Sequence, residues 1–135
     1  MFKKFRVHLA EFLSRLVSSA ADTGILYTTD LIPNLSAWVV TMSSAPLRSF
    51  RHTATVVALD VEAALCDVTR NVEKEAEVLG RQREGEKKRK AKGSAGAKDK
   101  GLEAKMKEVN ERTEKLSEFL KDFIDGCVFN SRQNI

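Results

Sequence analysis

Leu47 to Leu79 reads LRSFRHTATVVALDVEAALCDVTRNVEKEAEVL, and the spacing of its apolar residues decides the fold. Phe50, Ala54, Val57, Val61, Ala64, Val68, Val72 and Leu79 recur at steps of three and four, with Glu75 as the polar intruder. That rhythm is the heptad seam, which lines one stripe of a helix and calls for a partner helix to cover it. A helix over this stretch would be about 50 Å long at 1.5 Å per residue. The rhythm resumes at Leu102 with Met106, Val109, Thr113, Leu116, Leu120, Phe123 and Cys127. Two such stripes joined by one polar segment fold back most simply as an antiparallel hairpin, its helices within residues 46–80 and 101–130.

The joining segment is chemically different. Residues 81–100 carry nine basic residues (Arg81, Arg83, Lys87, Lys88, Arg89, Lys90, Lys92, Lys98, Lys100) against Glu84, Glu86 and Asp99. That leaves +6 here and −2 on the rest of a chain whose net charge is +4. Rich in glycine and poor in apolar residues, the stretch cannot bury enough surface to offset its ordering entropy. It reads as a basic tip, a solvated helix extension at first and flexible over residues 92–101.

Toward the N-terminus, residues 1–45 read as two short helices packed on the hairpin. In the first, Phe2, Phe5, Leu9, Phe12 or Leu13, Leu16 and Ala20 share a face, and Gly24 is the stop. In the second, Thr28 or Thr29 offers an N-cap, and Pro33 is tolerated because a first-turn residue needs no N–H. The helix runs to about Ser43, with Leu31, Leu35, Trp38 and Met42 facing inward. Ser43-Ser44-Ala45-Pro46 is a turn that starts the long helix. The whole is all-α: two short helices on a long coiled-coil-like hairpin, one domain over residues 1–135.

Length, composition and cysteine usage narrow the function. At 135 residues the chain has room for one core. Cys66 and Cys127 fit no paired metal spacing, and unpaired cysteines suit a reducing compartment. No apolar run approaches the roughly 20 residues that span a bilayer. The basic, amphipathic start imitates a mitochondrial transit peptide, but Glu11 and Asp22 do not suit one.

Catalytic patterns do not emerge. His8 and His52 are the two histidines, with no second ligand at metal spacing. Gly93-Ser94-Ala95-Gly96-Ala97-Lys98 lacks the spacing, the Lys-Ser/Thr ending and the preceding strand of a phosphate loop. The acids Glu103, Glu108, Glu111, Glu114 and Glu118 interleave with lysines as a solvated helix face. No enzyme, metal or cofactor is expected. The feature with partner chemistry is the cluster Lys87, Lys88, Arg89, Lys90 and Lys92, suited to nucleic-acid phosphates or to nuclear localisation. Lys3, Lys4 and Arg6 form a lesser group, and a tip some 50 Å along the hairpin argues against the two acting side by side.

Several blocks carry a resemblance. Lys3-Lys4-Phe5-Arg6 with Glu11-Phe12, then Ile25-Leu26-Tyr27, then Arg48-Ser49-Phe50-Arg51-His52-Thr53-Ala54-Thr55, and finally Phe123-Ile124-Asp125-Gly126 are similar to the STAG (stromalin) family of cohesin subunits. The family has a long helix pair joined by a polar segment after the third block. It continues beyond Val128-Phe129 with a Val-His-Arg-Tyr-Arg-Asp stretch, where this chain has Asn130 to Ile135. The resemblance therefore implies a piece of a larger HEAT-like superhelix, non-catalytic and nuclear, supporting sister-chromatid cohesion and binding chromatin. It implies kleisin and other cohesin subunits as partners of the full-length proteins, and double-stranded DNA as the ligand that these basic residues could keep. The different reading is a purely structural coiled-coil module that docks protein and binds no DNA. In either case apolar residues of the first two helices are expected to stand uncovered, for want of neighbouring repeats.

Overall fold

A computed structural model describes the backbone of residues 2–90 and 99–133, and the side chains of residues 4–88 and 101–126. Among the described residues there are five helices and no strand: α1 (Phe2–Asp22), α2 (Ile25–Thr28), α3 (Leu31–Ser43), α4 (Arg48–Lys90) and α5 (Asp99–Gln133). The long α4 packs against α1, α3 and α5. Opposed pairs across α4 and α5 fix their direction: Arg83 lies 3.6 Å from Glu103, and Glu75 lies 4.0 Å from Arg112. As one residue number rises the other falls, so the two helices are antiparallel.

Where two short helices are expected, residues 2–43 hold three. Gly24, at φ +77°, turns the chain out of α1 in the left-handed conformation that glycine adopts without strain. α2 is a single turn whose Leu26 is fully buried. Neither Thr28 nor Thr29 caps α3. Their hydroxyls donate backward, Thr28 to the Gly24 carbonyl at 3.3 Å and Thr29 to that of Ile25 at 2.9 Å, so both close α2. Asp30 takes the cap position of α3, and its carbonyl accepts the Asn34 N–H at 3.0 Å. Pro33 sits third in the helix, where no N–H is needed. At the next turn the Arg51 guanidinium reaches back to the carbonyls of Ala45 and Pro46, each at 2.9 Å, and fixes the entry into α4.

The core follows the heptad stripes and then widens. Ala54, Val61, Ala64, Val68, Val72 and Leu79 are buried on α4, and Val109, Leu116 and Phe123 on α5. Ala58 and Leu65 are buried as well, one position off the seam. They are needed because α4 has three neighbours, and a stripe two residues wide covers only one. Phe50, at the head of the seam, stays half-exposed.

On α1 and α3 much of the expected face packs on the core, Leu9, Leu13 and Ala20 from α1 and Leu31, Leu35 and Met42 from α3, while Phe5, Phe12 and Trp38 depart from it. α1 buries Leu13, Val17 and Ala20, while Phe5 and Phe12 are 66% and 60% exposed. α3 buries Ile32 and Val39, seven residues apart on one face, and leaves Trp38 72% exposed on its flank. Trp38 is thus a surface residue, not part of the core. The expected uncovered apolar residues are present on α1, α2 and α3: Phe5, Val7, Phe12, Ile25 and Trp38.

Two contacts seat α5 against the short helices. A Cβ placed on Gly126 would meet the Val40 side chain at 2.7 Å, so the absence of a side chain permits the close crossing of α3 and α5. Gly126→Ala brings about 1 kcal/mol of better helix propensity and an overlap costing about 1–3 kcal/mol, against a β-branched neighbour that cannot swing away. A net loss of about 1 kcal/mol and a Tm lower by about 3 °C are expected by thermal melting. Restoration by Val40→Ala in the same chain completes the check.

The second contact is polar. Lys115 Nζ donates to the Tyr27 carbonyl at 2.6 Å, and the Arg112 guanidinium lies 5.5 Å from the centre of the Tyr27 ring. Burial pushes the Tyr27 phenol above its ordinary value; Arg112 acts the other way, while Glu75 and Asp22 add to the rise. A folded state that holds this proton more tightly than the unfolded chain has its stabilisation intact below the unfolded value, and loses it as pH rises through the folded one. The chain has one tyrosine, so its tyrosinate absorbance is read without interference. Arg112→Met is expected to move that titration further upward, and a downward shift would remove Arg112 from the site.

Candidate nucleic-acid interface

The basic cluster lies where α4 has outrun its other partners. Past Val72 the buried residue of α4 is Leu79, and beyond it the surface turns charged. Helical pairs keep the chain regular despite Gly80 and Gly85: Arg81 bonds Glu77 on its own helix, and Arg83 reaches Glu103 on α5. Arg83 also points Nη1 at the Met106 sulfur, 3.9 Å away. Arg81 and Arg83 are thereby engaged within the protein.

Lys87 and Lys88 differ. Both are exposed on α4, and among the described residues neither makes an ion pair or a hydrogen bond. Arg89 and Lys90 continue the same helix, their side chains outside the described residues. Lys92 and the glycine-rich run after it also lie outside them, as does most of the segment expected to be flexible, while α5 begins at Asp99. Lys4 and Arg6 are exposed on α1, and Lys3 lies in the same helix with its side chain not described. No hydrogen bond or ion pair among the described residues links the α1 group to the α4 group.

Elsewhere the polar groups are ordinary. His8 is exposed and lies 3.8 Å from Glu11, an attraction that needs the imidazole protonated. His52 and Cys66 are exposed. Burial holds the Glu62 carboxyl above the usual range. Among the described residues no group of three or more His, Cys, Asp or Glu is placed to hold a metal ion. None of their helices is long and apolar enough to cross a membrane.

Among the described residues the fold is all-helical, built on one long helix whose exposed lysines lie toward its end. Comparison gives this fold a family. Residues 1–105 match the model of the STAG domain. Cohesin subunit psc3 of Schizosaccharomyces pombe is 31% identical over 99% of this chain. Cohesin subunit scc-3 of Caenorhabditis elegans is 30% identical over 96%, and cohesin subunit SA-1 of Xenopus laevis is 26% identical over 93%. The chain belongs to the STAG-domain family of cohesin subunits, a family of structural, non-catalytic proteins. It spans 14%, 11% and 10% of the length of those three relatives. The blocks that suggested this family are now placed: Lys4 to Arg6 on α1, Ile25 to Tyr27 on α2, Arg48 to Thr55 at the start of α4, and Gly126 at the α3–α5 crossing.

Proposed function

We propose that this chain is a scaffold segment of a cohesin subunit that holds duplex DNA through phosphate contacts at the α4–α5 end. The observation that carries the reading is the pair Lys87 and Lys88, exposed and without a hydrogen bond or ion pair among the described residues, on a helix carried beyond the core. Lysines in that state release counterions from the duplex when they meet phosphates, a strongly salt-dependent source of affinity. Arg89, Lys90 and Lys92 extend the cluster along the sequence, and Lys3, Lys4 and Arg6 on α1 form the lesser group. The cluster implies no bidentate reader of base edges, so binding is largely blind to sequence.

On this reading residues 1–135 form one unit of a HEAT-like superhelix in the nucleus, serving sister-chromatid cohesion. Kleisin and other cohesin subunits are partners of the longer family proteins. Membership in the STAG family supports these assignments, and the basic cluster also suits a nuclear localisation signal. The test is a fluorescence-anisotropy titration of the chain with a random-sequence duplex at about 50 and 200 mM salt. Affinity that falls steeply with salt is expected. No binding at the lower salt overturns the reading.

A second reading rests on a different observation. Trp38, expected to face inward, is 72% exposed instead, and a large exposed aromatic suits a module that docks protein without touching DNA. Light scattering separates the cases: a concentration-dependent dimer favours the docking module, and a monomer the closed hairpin.

A further inference from the structure

We propose that a partly open cavity between α1, α2, α4 and α5 is a receptor for one basic side chain, an arginine or lysine presented by a partner polypeptide. The cavity measures about 260 Å³. That is below the roughly 300 Å³ at which sites for drug-sized ligands begin, and it suits a single long side chain. Asp22 closes α1 at its rim, Tyr27 comes from α2, Asp67, Asn71 and Glu75 come from α4, and Arg112 comes from α5. Val68 and Val72 supply apolar wall, against which the methylenes of a long cationic side chain can lie.

The balance of charge selects the sign of the ligand. Three carboxylates line the cavity against one guanidinium. Arg112 is already committed, bonded to Glu108, 4.0 Å from Glu75 and stacked near the Tyr27 ring. Asp67 has only an exposed neighbour on its own helix, Arg70 at 3.4 Å. Among the described residues, the Asp22 carboxylate, the Asn71 amide and the Tyr27 hydroxyl make no hydrogen bond. Asp22 is also the last residue of α1, where a carboxylate meets the negative end of the helix dipole, so a bound cation relieves a local repulsion.

Geometry then excludes a bare metal ion. The carboxylates are not grouped closely enough for three to share one centre. Spread around a cavity, they suit a cation with several N–H donors that diverge from one stem, as guanidinium and ammonium groups do. The rim is held in place beforehand, because Lys115 ties the Tyr27 carbonyl to α5 at 2.6 Å. A receptor shaped in advance loses less entropy on binding.

This site is independent of DNA contact at the far end of α4. The test is a titration of the full chain with Nα-acetyl-arginine amide and Nα-acetyl-lysine amide, followed by backbone amide NMR, with Nα-acetyl-norleucine amide as the uncharged control. Saturable shifts of the Tyr27 and Asn71 amides with a basic probe, and none with norleucine, are expected. Asp22→Asn and Asp67→Asn are exposed changes that leave the core intact, and each should weaken binding about fivefold, the most a partly exposed pair gives. Asn71→Leu, which replaces a polar lining group by an apolar one without altering the charge, should weaken the response. The proposal is overturned if Tyr27 and Asn71 stay silent up to tens of millimolar, if norleucine acts like arginine, or if the variants bind unchanged.

Discussion

Phe123→Ala should lower the unfolding free energy by about 3–5 kcal/mol, the range for removing a fully enclosed aromatic ring. Phe123 is 0% exposed, the largest of the fully buried side chains, and lies three residues before the glycine that lets α5 cross α3. A domain of this size holds only about 5–15 kcal/mol in total, so the loss removes a large share of its stability. Urea denaturation followed by circular dichroism reads the effect as a lower midpoint at unchanged slope. Ile124→Ala is the internal control. That neighbour is half-exposed, and its loss should change stability by about 0.5 kcal/mol or less. Equal losses for the two variants would mean that α5 does not present Phe123 to the core.

Reversing Lys87, Lys88, Arg89 and Lys90 to glutamate should reduce duplex affinity at least about a hundredfold at low salt. Each phosphate contact contributes roughly 0.9 to the slope of log affinity against log salt, so four lost contacts flatten that slope by about three to four. Stability should hardly move, because Lys87 and Lys88 are exposed and make no hydrogen bond or ion pair among the described residues. The same four substitutions on a chain that retains its affinity and its slope would place the DNA contact elsewhere, with Lys4 and Arg6 on α1 next to be tested.

Much of the architecture was legible because one pattern is strong. The heptad spacing from Ala54 to Leu79 and from Leu102 to Phe123 reports helices that face another helix, and most of those positions lie in or against the one core to which α4 and α5 contribute. What periodicity does not encode is the number of partners. α4 buries Ala58 and Leu65 toward further neighbours, and that need is invisible until the neighbours are placed. On short α3 the same weakness decides the outcome for Trp38. Thirteen residues with apolar side chains on most sides are compatible with several inward directions, and packing on α4 and α5 chose the one through Ile32 and Val39.

Local chemistry is less legible in the sequence than periodicity. Thr28 and Thr29 look like caps for the helix that follows, yet a threonine hydroxyl bonds equally well to a carbonyl four residues back, and it did so here. The basic cluster was visible as composition, and its helical course as far as Lys90 extends the expected helix beyond Gly80. The cavity beside Tyr27 left no trace in the sequence, because Asp22, Asp67, Glu75 and Arg112 are assembled from three helices and share no motif.

The overhang of α4 has a mechanical meaning. From Glu73 to Lys90 the helix runs about 27 Å with α5 at its side and little else buried along it. Such a pair is a cantilever. A tilt of about 10° at its root sweeps the end through roughly 5 Å, some three charge spacings of a duplex at about 1.7 Å each. If the lysines at its end hold a duplex as proposed, that reach lets them follow its bending or rotation while the packed base, from Ala54 to Val72, stays still.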